Sequence, residues 1–229
     1  MKIVEKLNGD YSQGAVTIAF LGDSVTHGCF GSGNEMHSQF NFDAVYHNRL
    51  RQMLNILFPL RPISIINAGI GGDCAKGAQL RLERDVISKT PDLSVVCFGL
   101  NDINGSLEDY VNPLEKIFAE LSQRGIETIF MTPNMLNTYV AEELSGSPLA
   151  EYAESCAEYQ RGGRMDKYIN AAKECAHSRG IPVADCYSGW KAMSDCGIDT
   201  TKLLANRINH PIPELHKFFA SELMRTILS

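Results

Sequence analysis

The sequence predicts an α/β fold: one domain spanning residues 1–229, built around a five-stranded parallel sheet. Two observations carry this expectation. Five short β-rich apolar runs recur along the chain, and amphipathic stretches with helical spacing separate them. Most of the runs are continuous apolar strings without strict alternation, as in strands buried on both faces of a parallel sheet. The chain has 229 residues, 44% of them hydrophobic, which suffices for one substantial core.

The first run, AVTIAFL, ends before Gly22, and the second, ISIINAG, ends at Gly69. LSVVCFG ends at Gly99, ETIFMT precedes Pro133, and IPVADCY ends at Tyr187. Between them, Ala44 to Phe58 places Val45, Leu50, Leu54 and Leu57 at helical spacing, and Gly77 to Ser88 carries Leu80, Leu82 and Val86 among charges. Leu107 to Arg124 stops at Gly125, and Met165 to Arg179 stops at Gly180 with Pro182 beyond; both are C-terminal stop signals. Pro213 to Leu228 closes the chain with Leu215, Phe218, Phe219, Leu223 and Ile227. Asn137 to Gly163 breaks the rhythm and reads as an insertion near the site.

Composition excludes several classes. A net charge of −6 with scattered Lys and Arg lacks the basic footprint of a nucleic-acid binder. The longest apolar runs are too short to span a membrane. The start, MKIVEKLNGDYSQG, has no apolar core of signal-peptide type. Seven cysteines (Cys29, Cys74, Cys97, Cys156, Cys175, Cys186, Cys196) form an odd count with no C-x-x-C pair, so reduced thiols and a cytoplasmic location are expected. Oligomeric state is not indicated. His27, His37 and His47 sit ten residues apart, which matches no metal-ligand spacing, and no cofactor or metal is expected.

In an open α/β sheet the ligand lies beyond the carboxyl ends of the strands, so the residues following each strand define the candidate site. They are Gly22-Asp23-Ser24 after the first, Gly69 to Asp73 after the second, and Gly99, Asn101 and Asp102 after the third. Thr132, Pro133 and Asn134 follow the fourth, and a late loop carries Asn206-Arg207-Ile208-Asn209-His210-Pro211. These types suit acyl transfer. A serine hydroxyl needs a neighbouring base, and histidine titrates near neutrality. The oxyanion of a tetrahedral intermediate needs fixed N–H donors, which Gly72 and the Asn101 amide could offer. Asp23 and Asp102 read as acceptors for loop N–H groups, and Trp190 and Tyr187 as packing residues. Pro211 keeps His210 out of a helix.

GDSVTHG, NAGIGGD, FGLND and NHP resemble, in order, the four motif blocks of the GDSL-type, or SGNH, hydrolases. The resemblance implies a flavodoxin-like three-layer sandwich, Ser24 as nucleophile and His210 as base. It also implies an oxyanion hole from the N–H of Ser24, the N–H of Gly72 and the side chain of Asn101. The family cleaves esters and acetyl groups without a metal, so the expected partner is a small-molecule ester, of short acyl chain, on a carbohydrate or small alcohol.

One position departs from the pattern. Where the family carries an aspartate three residues before the histidine, this chain has Arg207. A guanidinium cannot accept the imidazole N–H. A backbone carbonyl, such as that of Arg207, could orient His210; an acid from elsewhere, Asp199 or Asp185, could fold in; or catalysis could be impaired. Three other readings stand beside the hydrolase. Gly69-Ile70-Gly71-Gly72-Asp73-Cys74 is similar to a dinucleotide fingerprint, with Cys74 in place of its last glycine. An α/β-hydrolase would need G-x-S-x-G, whereas Thr26 holds the last glycine's place. A catalytically silent binding domain on the same fold is the third.

Overall fold

The computed structural model describes residues 1–31 and 39–229. Five strands, β1 (Val16–Gly22), β2 (Ile63–Gly69), β3 (Leu93–Cys97), β4 (Glu127–Met131) and β5 (Val183–Ala184), form one parallel sheet in the order β2-β1-β3-β4-β5. That order is flavodoxin-like, and the chain reverses direction across the sheet between β1 and β3. Every residue of β3 is buried and all of β1 except Thr17, as the unbroken apolar strings predict. β2, on an edge, is mostly half-exposed until Ala68.

Helices cover both faces. On one side α3 (Tyr46–Leu57) packs on α9 (His216–Leu228), which also meets α1 (Ile3–Leu7) and α8 (Cys186–Asp195). On the other, α4 (Ala75–Asp85) packs on α5 (Leu107–Gln123), which meets α7 (Arg164–Ser178), itself joined by α6 (Ala150–Arg161). A four-residue helix, α2 (Ser24–His27), follows β1 directly. One hydrophobic cluster joins both helical layers to the sheet, with Phe20, Tyr46, Tyr110, Phe130, Trp190 and Phe219 among its largest fully buried side chains.

The elements differ from the sequence expectation in four places. The run ending at Tyr187 is a strand for two residues only, because Asp185 accepts from the Ser188 N–H and starts α8. The segment 137–163 holds a 3-10 turn (Glu142–Leu144) and α6, whose Ala153, Cys156 and Ala157 are buried; alanines and polar residues gave that apolar stripe little sequence contrast. The helix expected over Gly77 to Ser88 begins at Ala75 and gives way to a 3-10 turn at Ile87. The closing helix is preceded by a separate 3-10 turn, Pro213–Leu215. Among the described residues, no helix is long and apolar enough to cross a membrane.

The register matters for function. Gly22 lies opposite Gly69 on β2 and Cys97 on β3, so the three strands end level and their following loops share one rim. A Cβ at Gly69 would run into the backbone of Thr26 and His27, so glycine lets the edge strand pass directly beneath α2.

Candidate active site

Ser24 is the first residue of α2. Its helix is capped by Asp23, whose Oδ1 accepts from the Val25 N–H at 2.9 Å. The α2 helix ends at Gly28 in the left-handed region, with the N–H groups of Gly28 and Cys29 both donating to the Ser24 carbonyl. The side chain is thereby fixed at the carboxyl end of β1, where Ser24 is 4% exposed.

The Ser24 Oγ lies 2.8 Å from Nε2 of His210. The other ring nitrogen, Nδ1, lies 2.6 Å from the Gly31 carbonyl oxygen. A carbonyl oxygen can only accept, so Nδ1 carries the proton and Nε2 presents its lone pair to the serine. This is the tautomer a general base requires. The orienting group is therefore a backbone carbonyl, but one from the loop after α2 and not that of Arg207. Burial pushes the His210 imidazole down to about 4, only partly opposed by the carbonyls of Gly31 and Phe30.

Neither acid considered from the sequence reaches the histidine. Asp199 accepts from the Tyr139 hydroxyl and the Lys202 N–H. Asp185 holds Lys173, Thr132 and Ser188. Arg207 adopts φ +59°, and its guanidinium turns away to the carbonyls of Lys202 and Leu204 and to Glu143. Its charge thus leaves the imidazole face.

The loop bearing His210 is held by amides. Asn206 Oδ1 accepts from the N–H groups of Ile208, Asn209 and His210 at 2.9–3.0 Å, while its Nδ2 donates to Asn209 Oδ1. Asn134, fully buried after β4, donates from Nδ2 to the Asn209 carbonyl. Asn137 N–H reaches the Ile208 carbonyl, tying the 137–163 segment to the same loop.

The three expected oxyanion donors lie on the three adjacent loops. Gly72 adopts φ +76°, which glycine occupies without strain, and neither its N–H nor that of Ser24 has a protein acceptor among the described residues. Asn101 donates one amide hydrogen to the Asp73 carbonyl at 2.9 Å, which fixes the side chain and leaves the second hydrogen unspent.

Charged groups brace these loops from beneath. Arg81, 7% exposed, donates to the Gly22 and Ala68 carbonyls and pairs with Asp73 and Asp85, so it joins the ends of β1 and β2 to α4. Asp102 accepts from the N–H groups of Ala75 and Gly99, joining the second loop to the third. Asp23 and Asp102 are thus the backbone acceptors the sequence suggested. Burial raises Asp102 to about 6. It raises Asp23 to about 7, with Asp102 and Asp73 adding repulsion, and Asp23 Oδ2 is buried without a partner.

The sequence did not point to Gly31 or Arg81, and it placed Asn134 and Asn206 in loops at the site without giving them a role. An asparagine four residues before the histidine is a turn signal that could have been read; a carbonyl carries no side-chain signal at all. Trp190 and Tyr187 are buried, as expected of packing residues. Of the three spaced histidines, His47 bonds through Nε2 to the Thr26 carbonyl and His27 packs at a tilt against Phe40. His37 lies outside the described residues. Among the described residues no cluster of three metal-ligating side chains occurs.

A model of the GDSL-like lipase/acylhydrolase family matches residues 20–218. The Uncharacterized lipoprotein YqeF of Bacillus subtilis is 32% identical over 133 residues, 50% of this chain and 55% of that protein. The Acetylxylan esterase of Geobacillus stearothermophilus is 30% identical over 87 residues, 38% of this chain and 39% of that protein. The chain thus spans about half or less of the length of these curated relatives. Among solved structures, the acetyl xylan esterase AlAXEase superposes with a TM-score of 0.71 at 20% identity, over 93% of this chain and all of that one. Axe2, an acetylxylan esterase from Geobacillus stearothermophilus, gives 0.70 at 21%, over 96% and 95%. At these identities the structural likeness is one of fold.

Proposed function

The chain belongs to the GDSL-like lipase/acylhydrolase family, and from that premise we propose that it is a carboxylic ester hydrolase working through an acyl-enzyme on Ser24. The observation that supports this best is the 2.8 Å contact between Ser24 Oγ and His210 Nε2.

In this reading Ser24 Oγ attacks the ester carbonyl carbon as its proton passes to His210 Nε2. The carbonyl oxygen becomes an oxyanion, held by the N–H groups of Ser24 and Gly72 and the free amide hydrogen of Asn101. Collapse expels the alcohol, which takes the proton from Nε2, and leaves the acyl group on Ser24. Water then gives a proton to Nε2 as its oxygen attacks the acyl carbonyl; collapse of this second intermediate breaks the bond to Ser24 Oγ, which takes the proton back from Nε2, and the carboxylic acid leaves. The Gly31 carbonyl holds the imidazole in the correct tautomer throughout and stabilises its charged form by a hydrogen bond.

The test is fluorophosphonate labelling with peptide mapping. An adduct on Ser24, lost in His210→Ala, is the expected result. An unlabelled, well-folded protein would point instead to a silent binding domain on the same fold.

For the substrate, the reading is an acetyl or other short acyl ester of a carbohydrate or small alcohol. The acetylxylan esterases among its relatives support it. A series of p-nitrophenyl esters checks the chain length: acetate should be cleaved faster than octanoate, and the reverse order overturns it. For location, the reading is cytoplasmic, supported by Cys74, Cys97, Cys156, Cys175, Cys186 and Cys196 standing outside any disulfide. Recovery of the native protein in a membrane fraction would refute that part.

A further inference from the structure

Among the described residues no carboxylate bonds the His210 imidazole, yet the ring sits within hydrogen-bond reach of both the serine and a carbonyl. Residues 205–211 lie outside any helix or longer strand; among the described residues their one ladder contact is the bridge between Leu204 and Pro211. Something local must fix the backbone from which His210 projects. Arg207, in the left-handed region, turns the chain so that the next three N–H groups point back toward residue 206. All three find one acceptor there, the Asn206 side-chain oxygen. Three convergent N–H dipoles form a small positive nest that would be costly to bury empty.

We propose that Asn206 is the positioning residue of His210, replacing through the backbone what an acid would do through the imidazole. The assignment rests on the ester-hydrolase reading above. Asparagine fits the position better than a carboxylate in one respect: its Nδ2 donates to Asn209 Oδ1, so both ends of the amide are used. Asn134 holds the carbonyl of that same Asn209, so a buried set of three amides fixes the loop without a charge. The group acts on orientation and not on substrate, so its loss should lower kcat with little change in KM.

Three variants test it, with p-nitrophenyl acetate as substrate and thermal unfolding measured alongside. Asn206→Ala should lower kcat about 10- to 100-fold, the scale set by a misplaced catalytic group, with KM within about twofold. Asn206→Asp retains an acceptor for the three N–H groups and should recover most of kcat, with the acid limb of its pH profile moved upward by the new charge. Asn209→Ala removes only the Nδ2 partner and should have a smaller effect. Ile117→Val, a core change distant from the loop, supplies the control for lost stability alone. An Asn206→Ala enzyme within twofold of wild type, or a loss of kcat that Asp does not rescue, overturns the assignment. If Asn206→Ala does not fold, the Asp and Asn209→Ala variants decide it: an Asp variant as slow as His210→Ala would overturn the proposal. A wild-type protein with no esterase activity and no Ser24 adduct would show instead that the hydrolase reading failed.

Discussion

The two halves of the site are built from opposite materials. The loops after β1, β2 and β3, which carry Ser24, Gly72 and Asn101, rest on buried charge: Arg81 with Asp73 and Asp85, and the carboxyls of Asp23 and Asp102. The loop carrying His210 rests on neutral amides and one carbonyl, with its own charged residue, Arg207, turned outward. The difference follows from what each half must hold. The first half gathers three separate strand ends and needs long-range, many-armed connectors, for which a five-donor guanidinium is suited. The second holds a single turn, where local side-chain-to-backbone bonds suffice.

Removing a connector from the charged half should have the largest effect on stability. Arg81→Met leaves Asp73 without its cationic partner in a largely buried setting and removes the guanidinium donors of the Ala68 and Gly22 carbonyls, of which Gly22 keeps the Ile70 N–H. A loss of about 3–5 kcal/mol is expected, read as a fall in urea midpoint. On activity, Asn101→Ala should lower kcat about 10²–10³-fold with KM little changed, the cost of one oxyanion donor. A normal kcat would take Asn101 out of the oxyanion hole.

Acid separates the buried histidines, His210 with His47 and His216 on the neighbouring helices, from the acids of the charged half, because the two sets respond with opposite sign. Burial holds His47 at about 4, His210 at about 4 and His216 at about 3. Once unfolded, each binds a proton near pH ~6.5. The unfolded chain therefore takes up more protons as pH falls below that value, and stability that is complete above it is lost toward pH 4. Asp23 and Asp102 are raised to about 7 and about 6. Their stabilising contribution is fully present below the unfolded value of ~3.9 and is lost as pH rises through the folded values. Replacing one of these buried histidines, or one acid of the charged half, should tilt the pH dependence of the melting temperature in opposite directions. His216→Asn, which keeps an acceptor near the Tyr46 N–H, should lose less than wild type between pH 6.5 and 4.5; Asp23→Asn should lose more. Parallel profiles for the two variants would break the comparison.

The smallest effect is expected where the family pattern and this chain disagree. Arg207→Asp restores the acid in sequence, but the position points away from the imidazole and the Gly31 carbonyl already occupies Nδ1. Turnover should change by less than about threefold, since only a distant, partly exposed charge is altered. A large gain would show that the loop can bring residue 207 to the histidine.

What the sequence disclosed divides along the same line. β1 and β3 were legible because both their faces are buried, and Ser24, Gly72 and Asn101 could be named as candidates because short motifs follow strand ends in order; His210 was a candidate from the motif in the late loop alone. The extent of β5 was not, since its apolar string continues into α8 and only the Asp185 cap marks the change. Nor was the partner of His210 Nδ1: it is a main-chain oxygen 179 positions away, and pairings through carbonyls leave no trace in residue type. Arg81 was hidden within a helix by its likeness to any surface arginine; its 7% exposure comes from tertiary packing.

The central claim is a serine–histidine pair whose imidazole is held neutral by burial and oriented by the Gly31 carbonyl, with no carboxylate on the ring among the described residues. An NMR titration of the His210 ring in the folded protein tests this most directly. The account predicts a neutral ring with its proton on Nδ1 through pH 6, and a midpoint well below the free-histidine value, near 4. A midpoint at or above ~6.5, the value of an unperturbed or acid-paired imidazole, would contradict it.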